Sequence, residues 1–92
     1  MKIWLDDIRP APEGHVWCKS VNEAITVIEE NKNNIEVLDL DHDLGDFAKD
    51  GGDAICLMDY LIENELFYTL NFHTANLVGL ANMKRMYNRY WK

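Results

Sequence analysis

Three short stretches hold most of the side chains in this sequence that could do chemistry. Asp41-His42-Asp43 sets two carboxylates and an imidazole on consecutive positions, just after Leu38 and Leu40. Asp6-Asp7 follows Ile3-Trp4-Leu5, and His73-Thr74 follows Leu70-Asn71-Phe72. Each set stands where a short apolar run stops. Unpaired carboxylates and imidazoles are costly to bury, so Asp41, His42 and Asp43 are predicted at an exposed strand end, and the other two sets at strand ends of the same kind of sheet. In an open parallel sheet those ends are where ligands bind. Gly45 gives the chain the freedom to turn sharply after Asp43. Taken alone, residues 41–43 read as an acidic surface turn, and the other two stretches decide whether they are more.

If the strands ending in Asp6-Asp7 and Asp41 are neighbours, their carboxylates converge. Three acids at one point repel one another unless a cation or protons compensate. All-oxygen ligands suit Mg²⁺ or Mn²⁺, ions that keep several waters. Asp6 or Asp7, together with Asp41, are therefore the expected direct metal ligands, with Asp43 beside them; solvated acids are the alternative. His42 and His73 are expected at the same rim, where two imidazoles could give and take protons near neutral pH, as opening a cyclic phosphodiester with water requires. Each histidine alone reads equally as a hydrogen-bonded structural residue. Thr74 can donate its hydroxyl to a phosphoryl oxygen, and the helix starts near Gly52 and Asn76 offer N–H groups to an anion. Arg9 adds a fork-shaped phosphate donor or, equally, a salt bridge to a neighbouring acid. His15 is given no role.

The elements that must position these groups alternate. Residues 2–6 and 15–18 read as short strands, separated by Arg9-Pro10-Ala11-Pro12-Glu13-Gly14, where two prolines exclude regular structure. Ser20 and Glu23 form a capping box. Val21, Ala24, Ile25 and Ile28 continue it as a helix to about Asn31. A strand over 35–40 is followed by a polar loop and by a helix opened by Gly51-Gly52-Asp53. That helix carries Ala54, Ile55, Met58, Leu61 and Ile62 as its inner stripe, to about Asn64. Residues 68–72 form a fourth strand, and Asn76 caps a last helix whose inner face is Leu77, Leu80, Met83 and Tyr87. Strands alternating with helices predict a parallel sheet. The predicted architecture is one α/β domain over residues 1–92, three-layered, with a four-stranded flavodoxin-like sheet of order 2-1-3-4. The first connection is too short for a helical crossover, so it should be a tight loop packed by its prolines.

Composition narrows the function classes. A chain of 92 residues, 48% of them hydrophobic, can form one small core. No apolar run reaches the length of a membrane span, and the acids at 6 and 7 arrive too early for a signal-peptide core. A cytoplasmic protein with two buried thiols, Cys18 and Cys56, is expected. Neither cysteine has zinc-site spacing. The net charge of −7 argues against duplex DNA as a partner. It is unevenly spread: residues 36–65 hold ten acids and one base, Lys49, whereas residues 77–92 hold Lys84, Arg85, Arg89 and Lys92 and no acid. The basic end complements a helix C-terminus or forms a patch for an anion. A calcium loop over 41–53 lacks the required glycine and glutamate spacing.

With these residues laid out, the chain resembles the cyclic-phosphate-processing receiver-like domain family. The resemblance rests on LDDIRPAP at 5–12, LDLDHDLG at 38–45 and HTANLVGLANM at 73–83, three motifs in order along nearly the whole chain. It implies a reduced receiver fold and action on a cyclic phosphate, in a nucleotide or at an RNA end. Its motif residues map to Asp6, Asp7, Arg9, Asp41, His42, Asp43, His73, Thr74 and Asn76. Compared with ordinary receivers, the fifth strand and its lysine are missing, while histidines stand beside the carboxylates, which fits hydrolysis better than signalling. Asp39 departs from the serine expected there, and an inward-facing acid at 39 would upset the strand register. The leading expectation is a phosphoesterase with Asp6, Asp7 and Asp41 holding Mg²⁺ or Mn²⁺. In it His42, His73 and Asp43 act in catalysis, and Arg9, Thr74 and Asn76 bind the phosphate. The rivals are a module that binds a cyclic nucleotide without turnover and a degenerate receiver phosphorylated on Asp41.

Overall fold

The computed structural model describes residues 1–91. Four strands, β1 (Lys2–Leu5), β2 (His15–Cys18), β3 (Val37–Leu40) and β4 (Thr69–Phe72), form one parallel sheet of order β2-β1-β3-β4. Three α-helices accompany it: α1 (Val21–Glu30), α2 (Ala54–Glu63) and α3 (Leu77–Tyr90). Strand order and alternation match the prediction, and boundaries shift by a residue or two. Two stretches expected as plain loop contain single 3₁₀ turns, at Lys32–Asn34 and Gly45–Lys49. Asp53, rather than the glycine pair, stands at the start of α2. The β1–β2 connection is the expected tight loop; Trp4 Nε1 donates to Arg9 O (2.9 Å) and Trp17 Nε1 to Asp6 O (2.7 Å).

The strand periodicity of two divides the sheet into unlike faces. Ile3, Leu5, Cys18, Leu38, Leu40 and Leu70 point to one side and are buried. They join Val21, Ala24 and Ile28 of α1, Leu57, Met58 and Leu61 of α2, and Met83 of α3 in a single core. The connections β2–α1–β3 and β3–α2–β4 progress in the same direction across the sheet, and right-handed crossovers then place both helices on one face. Helix α3 joins them, with Tyr87 edge-on to Phe72, the last residue of β4 (5.9 Å between centroids). The other face is crossed by the register line Trp17–Trp4–Asp39–Asn71, whose members are half-buried or exposed. The expected third layer is therefore corrected to two: among the described residues, the helices cover one face only.

Helix capping follows the sequence closely. Ser20 accepts from Glu23 N (3.0 Å), and its own hydroxyl donates to Asp50 (2.7 Å), which ties the polar loop to the start of α1. Asn76 caps α3 by accepting from Gly79 N (2.9 Å). Two burial expectations fail. Leu77 is 78% exposed, because the first turn of α3 turns Gly79 rather than Leu77 inward, onto the His42 ring. Cys56 is exposed on α2, so only Cys18 is a buried thiol. Burial pushes the Cys18 thiol up to about 12. Among the described residues, no helix is long and apolar enough to cross a membrane.

Candidate functional site

Asp6 is the first residue past β1, and its carboxylate organises the loop that follows. Its Oδ1 accepts from Ile8 N (2.8 Å) and Arg9 N (2.9 Å), a local turn of the kind Asp favours. The side chain is buried, at 1% exposure. A buried carboxylate must be fully bonded, and Oδ2 meets that need with His73 Nε2 at 3.0 Å. The Arg9 guanidinium lies at the limit of an ion pair with the same oxygen (4.0 Å), so the salt-bridge alternative for Arg9 is realised. Arg9 also donates to His73 O (3.3 Å) and still lines the cleft.

Asp7 and Asp41 complete an acidic group. One carboxylate oxygen from each of Asp6, Asp7 and Asp41 lies within 4.8 Å of the others. The parallel pairing of Leu5 with Leu40 brings the two strand ends level, and Asp41 N donates to Leu5 O (2.9 Å). Desolvation is the main reason why the Asp7 carboxyl is held above its ordinary range, and the charges of Asp6, Asp41 and Asp43 add to it. That repulsion is what a divalent cation would relieve. Gly45 makes the convergence possible: its φ is +55°, and a Cβ there would lie 2.6 Å from Asp7 Oδ2. A cleft of about 320 Å³ opens at this point, lined by Asp7, Arg9, Asp41, Asp43, Thr74 and Asn76 among others. A somewhat larger cleft, about 360 Å³, lies between α2 and α3 around Asp59, Arg85 and Arg89 and contains none of these groups.

Asp43 is tied on both oxygens. Oδ1 meets His42 Nδ1 (2.8 Å), and Oδ2 accepts from Asn76 Nδ2 (2.9 Å). His42 first, and Asn76 second, hold the Asp43 carboxyl below its ordinary range, so it stays ionised near neutral pH. Asn76 thus spends its oxygen on the helix cap and its amide on Asp43. Thr74 Oγ1 accepts from Asn76 N (3.1 Å), which leaves the hydroxyl proton of Thr74 for another acceptor. The N–H of Gly52 donates to Ala48 O (2.8 Å) and so is no anion site, contrary to expectation.

The two histidines are not brought together. His42 lies under α3, so close that a Cβ on Gly79 would meet its ring at 2.5 Å. His73 turns to the helix-free face instead. There its ring stacks on Trp4, with centroids 3.7 Å apart and planes within 7°. Its Nδ1 lies 2.6 Å from Asp39 Oδ1. Asp39 therefore sits in register on the helix-free face, and the doubt it cast on β3 is removed. Trp4 and Asp39 were not foreseen as neighbours of the site, although the alternation Val37-Leu38-Asp39-Leu40 places Asp39 opposite the two core leucines and Trp4 lies between Ile3 and Leu5 in the same way.

The family model described as the cyclic-phosphate processing Receiver domain matches residues 1–89 of the chain. No curated protein and no solved structure matches it.

Proposed function

This chain belongs to the cyclic-phosphate processing receiver domain family, and from that premise we propose that it is a small metal-assisted phosphoesterase. The reaction proposed is the opening of a cyclic phosphodiester by water. Water attacks phosphorus, one ring P–O bond breaks, and the proton lost by water ends on the departing alkoxide, leaving a phosphomonoester. The observation that carries the reading is the approach of Asp6, Asp7 and Asp41 oxygens to within 4.8 Å beside a cleft that also holds Arg9 and Thr74. The all-oxygen donor set fits Mg²⁺ or Mn²⁺, which when bound would polarise the phosphoryl group and make water a better nucleophile.

The chain's own groups divide the remaining tasks. Arg9 offers its guanidinium fork to the phosphate, and Thr74 offers its unspent hydroxyl proton. Asp43 faces the cleft as an ionised carboxylate backed by His42, and this pair is the proton acceptor proposed for water. Asn76 holds Asp43 in place rather than meeting the phosphate itself. His73 acts behind Asp6. The substrate class is a nucleoside or RNA-end cyclic phosphate.

Incubation of the purified chain with 2′,3′- and 3′,5′-cyclic nucleotides in Mg²⁺ or Mn²⁺ tests the reading. A linear phosphomonoester is the expected product, and Asp41→Asn is expected to abolish it. Absence of product from both substrates with both ions would overturn the proposal. Because Asp43, Asn76 and both histidines are already bonded to one another or to neighbours, a site that binds without turnover is the second reading. Saturable heat on titration with a cyclic nucleotide, with the ligand recovered intact, would select it.

A further inference from the structure

We infer that Asp39 is a positioning residue for the cleft: from the helix-free face it fixes the His73 ring on Trp4 and aims Nε2 at Asp6. The consequence for turnover rests on the phosphoesterase reading, while the clamp itself stands on geometry. Asp39 and Trp4 are register partners on adjacent strands, so their side chains rise side by side. His73 leaves β4 with its backbone anchored, N–H to Leu40 O at 3.0 Å, and only the two side-chain torsions stay free. Stacking on Trp4 is a weak contact that by itself neither keeps the ring in place on the indole nor sets which edge faces the cleft. That choice falls to the 2.6 Å contact between Asp39 Oδ1 and Nδ1, which leaves Nε2 pointing to Asp6 Oδ2 at 3.0 Å. Asp6 is then gripped from two sides, by its own loop through Oδ1 and by His73 through Oδ2. The contacts run Asp39–His73–Asp6, from the bare face of the sheet through its C-terminal edge to the acidic group. A carboxylate holding the imidazole behind a ligating or reacting group is a recurrent arrangement of orientation.

Nuclear magnetic resonance of the full chain, labelled on histidine and tryptophan, decides the matter. In the unsubstituted chain, His73 ring protons should show cross-relaxation with the Trp4 indole. Asp39→Ala should lose it with the rest of the amide spectrum preserved, whereas Asp39→Asn, which can still bond Nδ1, should keep it. If Asp39→Ala does not fold, Asp39→Ser, polar but too short to reach the ring, is read the same way. A ring still stacked on Trp4 in the Ala or Ser variant overturns the inference. Calorimetric titration with Mn²⁺ supplies the second readout: about tenfold weaker binding is expected for Asp39→Ala, with a smaller loss for Asp39→Asn. A displaced ring with unchanged Mn²⁺ affinity also overturns it, since Asp39 then governs nothing at Asp6. A chain that neither binds Mn²⁺ nor forms product counts against the phosphoesterase reading, and the ring comparison alone then decides the role of Asp39.

Discussion

The two faces of the sheet are made from alternate residues of the same four strands, yet they are built for different ends. The helix-covered face is aliphatic and dry, with Ile3, Leu5, Leu38, Leu40 and Leu70 closed in by α1, α2 and α3. The bare face carries Trp17, Trp4, Asp39 and Asn71 in one register line, and its contacts are stacking and hydrogen bonding. Stability is stored on the first and orientation on the second. Aliphatic packing has no preferred direction and by itself leaves the aim of a side chain open. A carboxylate at 2.6 Å from an imidazole does set that aim, because hydrogen bonds weaken steeply with misalignment. A group that must point in one direction is better held from the face where such bonds can form.

The sharpest way to break this division is to truncate adjacent residues of β3 that face opposite ways. Leu38→Ala should lower the free energy of unfolding by about 2–5 kcal/mol in chemical denaturation, the usual cost of a cavity in a sealed core. Asp39→Ala should cost less, about 1.5 kcal/mol, the low end of the range for a hydrogen bond to a charged group, because no cavity is opened and the site is partly exposed. Equal losses would mean that the bare face is structural after all. Next in size is Gly79→Ala. Alanine in place of a helical glycine normally stabilises, by up to about 1 kcal/mol, but here the new Cβ would meet the His42 ring at 2.5 Å. A loss of about 1–3 kcal/mol is expected instead, and a double-mutant cycle with His42→Ala should recover most of it.

Smaller effects probe the acidic edge that the two faces share. Asp7 is held above the ordinary carboxylate range in the folded chain, so the folded state favours its proton. Its contribution is present at acid pH and is lost as pH rises through the folded value. Asp7→Asn should therefore stabilise the metal-free protein near neutral pH, by less than about 1 kcal/mol at this partly exposed site, and the gain should vanish in acid. Asp43 has the opposite sign. Its carboxyl is held low by His42 and then Asn76, so its contribution is present near neutral pH and fades as pH falls through the folded value. Asn76→Ala should raise the Asp43 midpoint in a carbon-detected titration, and His42→Ala should raise it further. An unmoved midpoint in both would show that neither partner holds the carboxylate.

Much of the fold was open to reading because local signals agreed with one another. The capping box at Ser20, the short apolar runs and the Asn76 cap each point to one element, and their alternation leaves few sheet orders. The layering was not readable in the same way. A parallel sheet usually has helices on both faces, and only the lack of a helix between β1 and β2 hinted that one face would stay bare. Leu77 faces solvent although its spacing with Leu80, Met83 and Tyr87 marks it as inner, because the close approach of α3 to the His42 ring needs a residue with no side chain at all, Gly79. The acidic group at Asp6, Asp7 and Asp41 followed from strand ends alone. The partners of His73 did not, because the direction of a side chain on the exit from a strand depends on rotamers that no spacing encodes.

Gly79 has a further consequence. His42 belongs to the loop that carries the acids, and α3 is seated directly on its ring. Asn76, at the head of the same helix, grips Asp43. The start of α3 and the acid-bearing loop are therefore coupled mechanically, like a key and its ward. A helix displaced along its axis would pull on Asp43 through Asn76, so the two cleft walls given by α3 and by the acid-bearing loop are linked.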